Sequence, residues 1–278
     1  MTAGYVFINL DREVDRCALM LRSAAALGLR FDRVSACDLA TLSTKPPMEY
    51  VPFQFRNERW ALRPFETAVF ESHRKAWKAF LSTDNLFGVI MEDDILFSRN
   101  FADDMKSITS SGFDFDVLKI NHSIQTRRMG PPRAMAGGLS VRMIYENIAD
   151  AGCYMLTRKA AEALLSQSRT YSSHLDDFVF SPDRKLKTFQ LFPPNCAQLI
   201  YFDSEHQSPQ ISISTRLKIK ESMPKGPLTF RVWKELRRLG KRSLIRLRSS
   251  LNGGEAVDLA ALLSEFKPIQ TEHGERLT

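Results

Sequence analysis

The chain has 278 residues, 44% of them apolar, and a net charge of +7, which leaves room for one large domain with its own core plus an appendage. The basicity is local: residues 216–248 carry twelve Lys and Arg against Glu221 and Glu235, a surplus of +10 that leaves −3 for the rest. A nucleic-acid-binding main body is therefore not expected. Cys17, Cys37, Cys153 and Cys196 show no short paired spacing, which argues against a zinc ribbon, a redox pair or a disulfide framework and for reduced thiols. Neither a membrane span nor a signal peptide is read in the sequence, so a cytoplasmic location is expected.

In chain order, Tyr5–Leu10 reads as a strand, Asp11 as a helix cap, and residues 12–27 as a helix with Val14, Cys17 and Leu21 on its apolar face, closed by Gly28. Phe31–Ala36 is a second strand, so the chain opens with a βαβ unit and predicts a parallel sheet. Pro46, Pro47 and Pro52 interrupt the next stretch, a loop placed over the site. Pro64–Leu81 reads as a helix whose inward stripe carries Glu66 and His73 among Phe70, Trp77 and Phe80. Glu66 could simply favour the helix N-terminus and His73 could be a satisfied core histidine. Phe113–Ile120 and Ala151–Leu156 are further strands, and Thr157 caps a helix over 159–165. Strand and helix alternate without a fixed repeat, which favours a doubly wound α/β sheet.

The chemistry concentrates at residues 86–97, where an apolar run ends in Glu92, Asp93 and Asp94 and then resumes. Adjacent carboxylates at the mouth of a buried strand raise one another's cost of ionisation, and a divalent cation relieves it. In an extended chain Glu92 and Asp94 share one face and Asp93 takes the other. Oxygen-only ligation suits Mn2+ or Mg2+. The plainer alternative is an acidic loop after a strand. No glycine-rich phosphate loop and no Gly-x-Ser-x-Gly occurs, so a metal is expected to hold phosphates instead, the logic of nucleotide-sugar transfer.

Four segments in this order resemble glycosyltransferase family 25, the lipooligosaccharide galactosyltransferase-like family. They are Val6-Phe-Ile-Asn-Leu-Asp-Arg12 with Asp15-Arg16; Arg63-Pro-Phe-Glu66 through Ser72-His73 and Trp77; Ile90-Met-Glu-Asp-Asp94; and Gly152-Cys-Tyr-Met-Leu-Thr-Arg-Lys-Ala160 with Leu175-Asp-Asp-Phe178. The likeness spans residues 5–200. Thr67-Ala-Val-Phe70 departs from the Ile-Gly-Cys-like stretch more usual there, and the chain after Thr215 lies outside it. The resemblance implies a GT-A-like, Rossmann-type, mostly parallel sheet with flanking helices, a UDP-sugar donor and inversion at the anomeric carbon.

On that reading Asn9, Arg12 and Arg16, at the end of the first strand, hold the uridine or pyrophosphate, although Arg12 and Arg16 could form one solvated helix face. Glu92 and Asp94 are the metal candidates, His206 a late additional one, and Asp93, Glu66 and His73 are assigned to the donor side. Asp176 is nominated as the base that deprotonates the acceptor hydroxyl, with Asp177 beside it; an N-cap role is the alternative. Residues 1–215 form the catalytic domain. Residues 216–278 form a basic helical extension in which Trp233 and leucines alternate with Arg and Lys, read as a peripheral anchor on the anionic inner face of the membrane. An ordinary packed helix or an RNA-binding arm are its alternatives. The expected function is transfer of a hexose, galactose from UDP-galactose, to a saccharide of a cell-surface glycolipid. The rivals are a non-catalytic glycan- or partner-binding member and a metal-dependent phosphotransferase or phosphodiesterase.

Overall fold

The structure, a computed structural model, describes residues 2–38, 62, 64–171, 173–202 and 228–269. The proline-interrupted stretch over the expected site, His206 and residues 216–227 lie outside the described residues.

The opening βαβ unit forms, but its helix turns a different face inward from the one expected: Leu19, Met20, Ser23 and Ala24 are buried, whereas Val14 and Leu21 are exposed. β1 (Ala3–Asn9), α1 (Val14–Ala26) and β2 (Phe31–Ser35) make a parallel βαβ unit, with Tyr5 opposite Phe31 and Asn9 opposite Ser35. Asp11 does not cap α1, whose N-cap is Glu13 without a side-chain bond. Its carboxylate instead accepts hydrogen bonds from Arg33 (2.5 Å) and Ser35 (3.0 Å). Across the loop, α2 (Pro64–Leu81) leads into β3 (Phe87–Glu92), which also pairs with β1 in parallel. The turn at Asp93-Asp94 then starts β4 (Ile95–Phe97), followed by α3 (Phe101–Ser110) and the short β5 (Val117–Lys119).

Residues 126–143, a glycine- and proline-rich connection in the sequence, hold β6 (Thr126–Met129), β7 (Arg133–Ala134) and β8 (Ser140–Met143). β9 (Cys153–Thr157) runs into α4 (Arg158–Gln167), where the Thr157 hydroxyl accepts from the Ala160 amide at 3.2 Å. The five-residue α5 (Leu175–Val179), β10 (Thr188–Phe192) and β11 (Cys196–Gln198) complete this part.

One eight-stranded sheet has the order β2-β1-β3-β9-β5-β10-β8-β7. β2, β1, β3, β5, β10 and β7 run one way, whereas β9 and β8 run against them. The sheet is thus mixed but mostly parallel. Reversal of β9 is functionally important: its neighbours end where it begins, so the residues just before Cys153 join the carboxyl edge at which open α/β sheets bind ligands.

Alternating side chains explain the two faces. Val6, Ile8 and Ile90 pack with Phe70, Trp77 and Phe80 of α2 and with α4 and α5. Tyr5, Phe7, Val89 and Met91 pack on the other side with Met20 of α1 and Phe101, Met105 and Ile108 of α3. Gly88 is required by this packing: a Cβ there would lie 2.6 Å from the buried Phe80 ring.

The C-terminal part comprises α6 (Leu228–Leu251), β12 (Glu255–Asp258) and α7 (Ala260–Leu263). β12 was not legible in the sequence, yet it pairs antiparallel with β6, Glu255 opposite Met129. Ser249 and Leu259 are buried, Arg142 reaches Glu255 at 2.6 Å, and the Ile269 amide donates to the Phe97 carbonyl at 2.9 Å. Between Ser249 and Ile269 the extension is therefore tied to the body at these points. α6 itself exposes Val232, Trp233, Leu236, Leu239, Leu244, Leu247 and Leu251.

Candidate active site

Glu92 and Asp94 fall to one side and Asp93 to the other, although the chain turns at Asp93-Asp94 instead of staying extended as the sequence reading assumed. The Gln198 amide donates to Glu92 at 2.6 Å and lies 3.5 Å from an Asp94 oxygen, so these two carboxylates share one amide. Asp93 turns the other way, accepting from Asn9 Nδ2 at 2.8 Å and pairing with Arg16 at 3.3 Å. Burial, then the charges of Asp150, Asp176 and Asp93, push the Glu92 carboxyl up to about 8. Burial, then Glu92 and Asp93, push Asp94 up to about 8 as well. Each of the two acids is held toward its neutral form by burial and by its acidic neighbours.

Asn9 is a junction rather than a free donor. It is buried, donates to Asp93 and to the Glu13 carbonyl (2.9 Å), and accepts from Arg33 Nε at 2.8 Å. Arg12 stands nearer solvent and pairs with Asp38. Arg16 is thereby the guanidinium that the sheet edge brings to the triplet.

α2 delivers His73 to the same place from behind. The Trp77 indole, a donor only, donates to the Tyr154 hydroxyl at 2.8 Å, and that hydroxyl lies 2.9 Å from His73 Nδ1. The Tyr154 hydroxyl thus joins the Trp77 indole to the imidazole, whose Nε2 lies 3.6 Å from Glu92. Burial, opposed by Asp176, holds His73 down at about 3. The residue is neutral, and its approach to Glu92 is not an ion pair. Glu66 lies at the start of α2 and faces His174 Nδ1 at 3.4 Å, tying α2 to the entry of α5.

α5 presents the second carboxylate pair. Its N-cap is His174 and not an aspartate, so Asp176 and Asp177 sit in the first turn and the capping alternative is excluded. Asp176 accepts from the Asp150 main-chain N–H at 2.9 Å, and burial raises its pKa against the lowering effect of that bond. Asp177 accepts from Asn147 at 2.9 Å, which places the two carboxylates on different partners.

Sequence reasoning missed Asp150, Lys119, Gln198 and Tyr201. Asp150 has φ 76°, the left-handed region that Asp tolerates better than most residues. Its carboxylate accepts from Asn121 (2.6 Å), the Gly152 amide (3.1 Å) and Tyr201 (2.6 Å). Lys119 is fully buried, donates to Asn121 at 2.6 Å and to the Asp150 carbonyl, and burial lowers its pKa against the pull of Asp150 and Asp176. It is the internal counter-charge of the acidic cluster. The sequence offered only an Asp-x-Gly at the start of the strand read at 151–156, and the reversed direction of β9 is what brings it to the carboxyl edge.

A mostly parallel α/β sheet thus gathers a carboxylate cluster at its carboxyl edge, where open α/β sheets bind ligands. The family model described as glycosyltransferase family 25 (LPS biosynthesis protein) matches residues 1–179, and the chain belongs to that family. It is a glycosyltransferase, and its partners are a nucleotide-sugar donor and a saccharide acceptor. Among solved structures it is similar to a glycosyltransferase involved in the glycosylation of the major capsid of PBCV-1, with 9% identity, TM-score 0.41, and 80% of this chain and 99% of that one covered. It is also similar to the inositol-1-phosphate CTP transferase from T. maritima, with 15% identity, TM-score 0.35, and 80% and 78% covered. No curated protein matches it.

Proposed function

We propose that the chain is a metal-dependent, inverting hexosyltransferase that moves galactose from UDP-galactose to a saccharide of a membrane glycolipid of the lipooligosaccharide type. The observation that carries this is the Glu92–Asp94 pair held by one Gln198 amide, both acids raised to about 8. The donor set fits Mn2+ or Mg2+. Among the described residues no three acidic, imidazole or thiol groups enclose an ion by themselves, as suits an ion held by one or two carboxylates and completed by substrate phosphates. Such an ion supplies charge neutralisation for the departing diphosphate.

The chain's own residues account for the rest. Arg16, fixed by Asp93, offers a cation beside the donor phosphates. Asp176 takes the proton of the acceptor hydroxyl, held in orientation by the Asp150 N–H, with that bond and Lys119 favouring its charged form against burial. Neutral His73 closes the floor behind Glu92 without adding charge.

The exposed apolar residues of α6, set among the cationic sequence of 216–248, support docking on anionic lipid, where a lipid-linked acceptor is presented. No helix among the described residues is long and apolar enough to cross a membrane. The test is transfer from labelled UDP-galactose with and without Mn2+. Wild type should turn over only with the ion, and Asp176→Asn should retain donor binding while losing turnover by about a hundredfold. Equal turnover in EDTA, or a lost donor affinity in Asp176→Asn, would overturn the reading. Phosphoester cleavage without sugar transfer would favour the phosphodiesterase rival.

A further inference from the structure

Two aromatic rings stand next to the site that the reaction as described does not use. Phe202 follows Tyr201, the residue whose hydroxyl is bonded to Asp150, and its side chain is 44% exposed. Its ring lies 5.7 Å from that of Phe266, which lies 5.1 Å from the His122 ring in an edge-on arrangement. His122 directly follows Asn121, the other partner of Asp150. Two independent paths of contact thus lead from the Asp150–Asp176 bond to the same pair of phenyl rings. Phe266 is fixed from both sides: Leu259 is buried upstream, and downstream Pro268 bridges to Ser98 and Ile269 to Phe97.

We propose that Phe202 and Phe266 form a stacking platform for the acceptor saccharide. The proposal rests on the glycosyltransferase reading of the Asp176 site. A hexose ring has a face of C–H groups, and the electron-rich face of an aromatic ring accepts it, so the exposed Phe202 ring, backed by the half-buried Phe266, suits a sugar on the side of the cluster that holds Tyr201 and Asp150. Position separates this platform from the donor. The triplet's partners Asn9 and Arg16 belong to the β1 end of the sheet, whereas His122 follows β5, three strands along in the order β1-β3-β9-β5, a distance of about 14 Å. Asp150 and Asp176 lie between, where a base must be if donor and acceptor approach from opposite sides. Phe202 and Phe266 both lie beyond residues 1–179 that the family model matches, so the platform is built outside the matched segment and selects this chain's acceptor.

The experiment measures binding of the core oligosaccharide freed from lipooligosaccharide by mild acid, followed by saturation transfer from aromatic protons, alongside the thermal shift given by UDP-galactose with Mn2+. Variants are Phe202→Leu and Phe266→Leu, which keep apolar bulk but lose the flat face, and Phe266→Tyr, which keeps the face. Each Leu variant should weaken oligosaccharide binding about tenfold, Phe266→Tyr should stay within about threefold of wild type, and the donor shift should be unchanged in all. Unchanged oligosaccharide affinity in the Leu variants would overturn the platform, as would loss of the donor shift in the same variants. Failure of Phe266→Tyr to restore binding would overturn it as well. If wild type binds the oligosaccharide through these rings but shows no donor shift, the donor reading fails and the platform stands. A donor shift without oligosaccharide binding sinks the platform alone.

Discussion

The crowding of Glu92 and Asp94 makes a quantitative demand on stability. Both acids stay protonated in the folded protein up to about pH 8, whereas the unfolded chain releases those protons near the ordinary values, about 4. Between those limits the native state binds more protons than the unfolded state, so stability is greatest at low pH and falls as pH rises, levelling off above about 8. Each group contributes at most about 1.4 kcal/mol per pH unit. The Glu92 side chain is 29% exposed, so water relieves part of this, and about 2 kcal/mol for the pair between pH 6 and 8 is the expected size. In a chain of 278 residues that is a drop in Tm of about 4–8 °C. Differential scanning fluorimetry from pH 5 to 9 should show it in EDTA. Saturating Mn2+ should flatten the curve, because a cation removes the repulsion. Asp94→Asn should fold normally, about halve the pH-dependent drop and blunt the Mn2+ effect. A flat Tm for wild type in EDTA, or an undiminished slope in Asp94→Asn, would refute the reasoning.

Three further outcomes are expected from the packing around the site. His73 should stay neutral across pH 5–8, since burial holds it at about 3; an imidazole NMR signal moving with a midpoint near 6.5 would mean water reaches it. Tyr154→Phe removes the hydroxyl shared by Trp77 and His73 and leaves both unpaired in the core, so denaturant unfolding should show a loss of about 2 kcal/mol. An unchanged midpoint would mean neither bond matters. Gly88→Ala puts a methyl 2.6 Å from the Phe80 ring, which has no exposed surface to retreat into, and should cost about 2 kcal/mol or more by the same assay; a neutral result would show that the α2–β3 contact can relax.

The sequence made the βαβ order and α2 readable because each rests on a local rule, period 3.6, period 2 or a terminal glycine, although α1 buries Leu19 and Met20 and exposes Val14 and Leu21. Glu92 and Asp94 share a side because the chain turns at Asp93-Asp94, which the extended-chain argument did not contain. The partners that give these residues their chemistry were not readable. Gln198, Asp150 and Lys119 reach the site only through strand order, and order depends on which strands run backwards, a long-range choice that no short window contains. β12 escaped for the same reason: Glu255-Ala-Val-Asp258 is too short to show alternation, and only its partner Thr126–Met129 makes it a strand.

The reversed strand β9 has a consequence for how the molecule comes together and comes apart. Strands β2, β1 and β3 form one block from contiguous early sequence, and β5, β10, β8 and β7 form another; only β9 hydrogen-bonds to both. Neither block can join the other until residues 153–157 have been placed between them, a non-local step of the kind that slows folding. Glu92 belongs to the first block, Lys119 to the second, and Asp150 to the approach to β9 itself. The acidic cluster and Lys119 therefore meet only when the last central ladder closes, and the cost of burying them together falls on that step. In native-state hydrogen exchange the amides of Tyr154 and Met155 should be among the slowest, because opening either one splits the sheet through its middle.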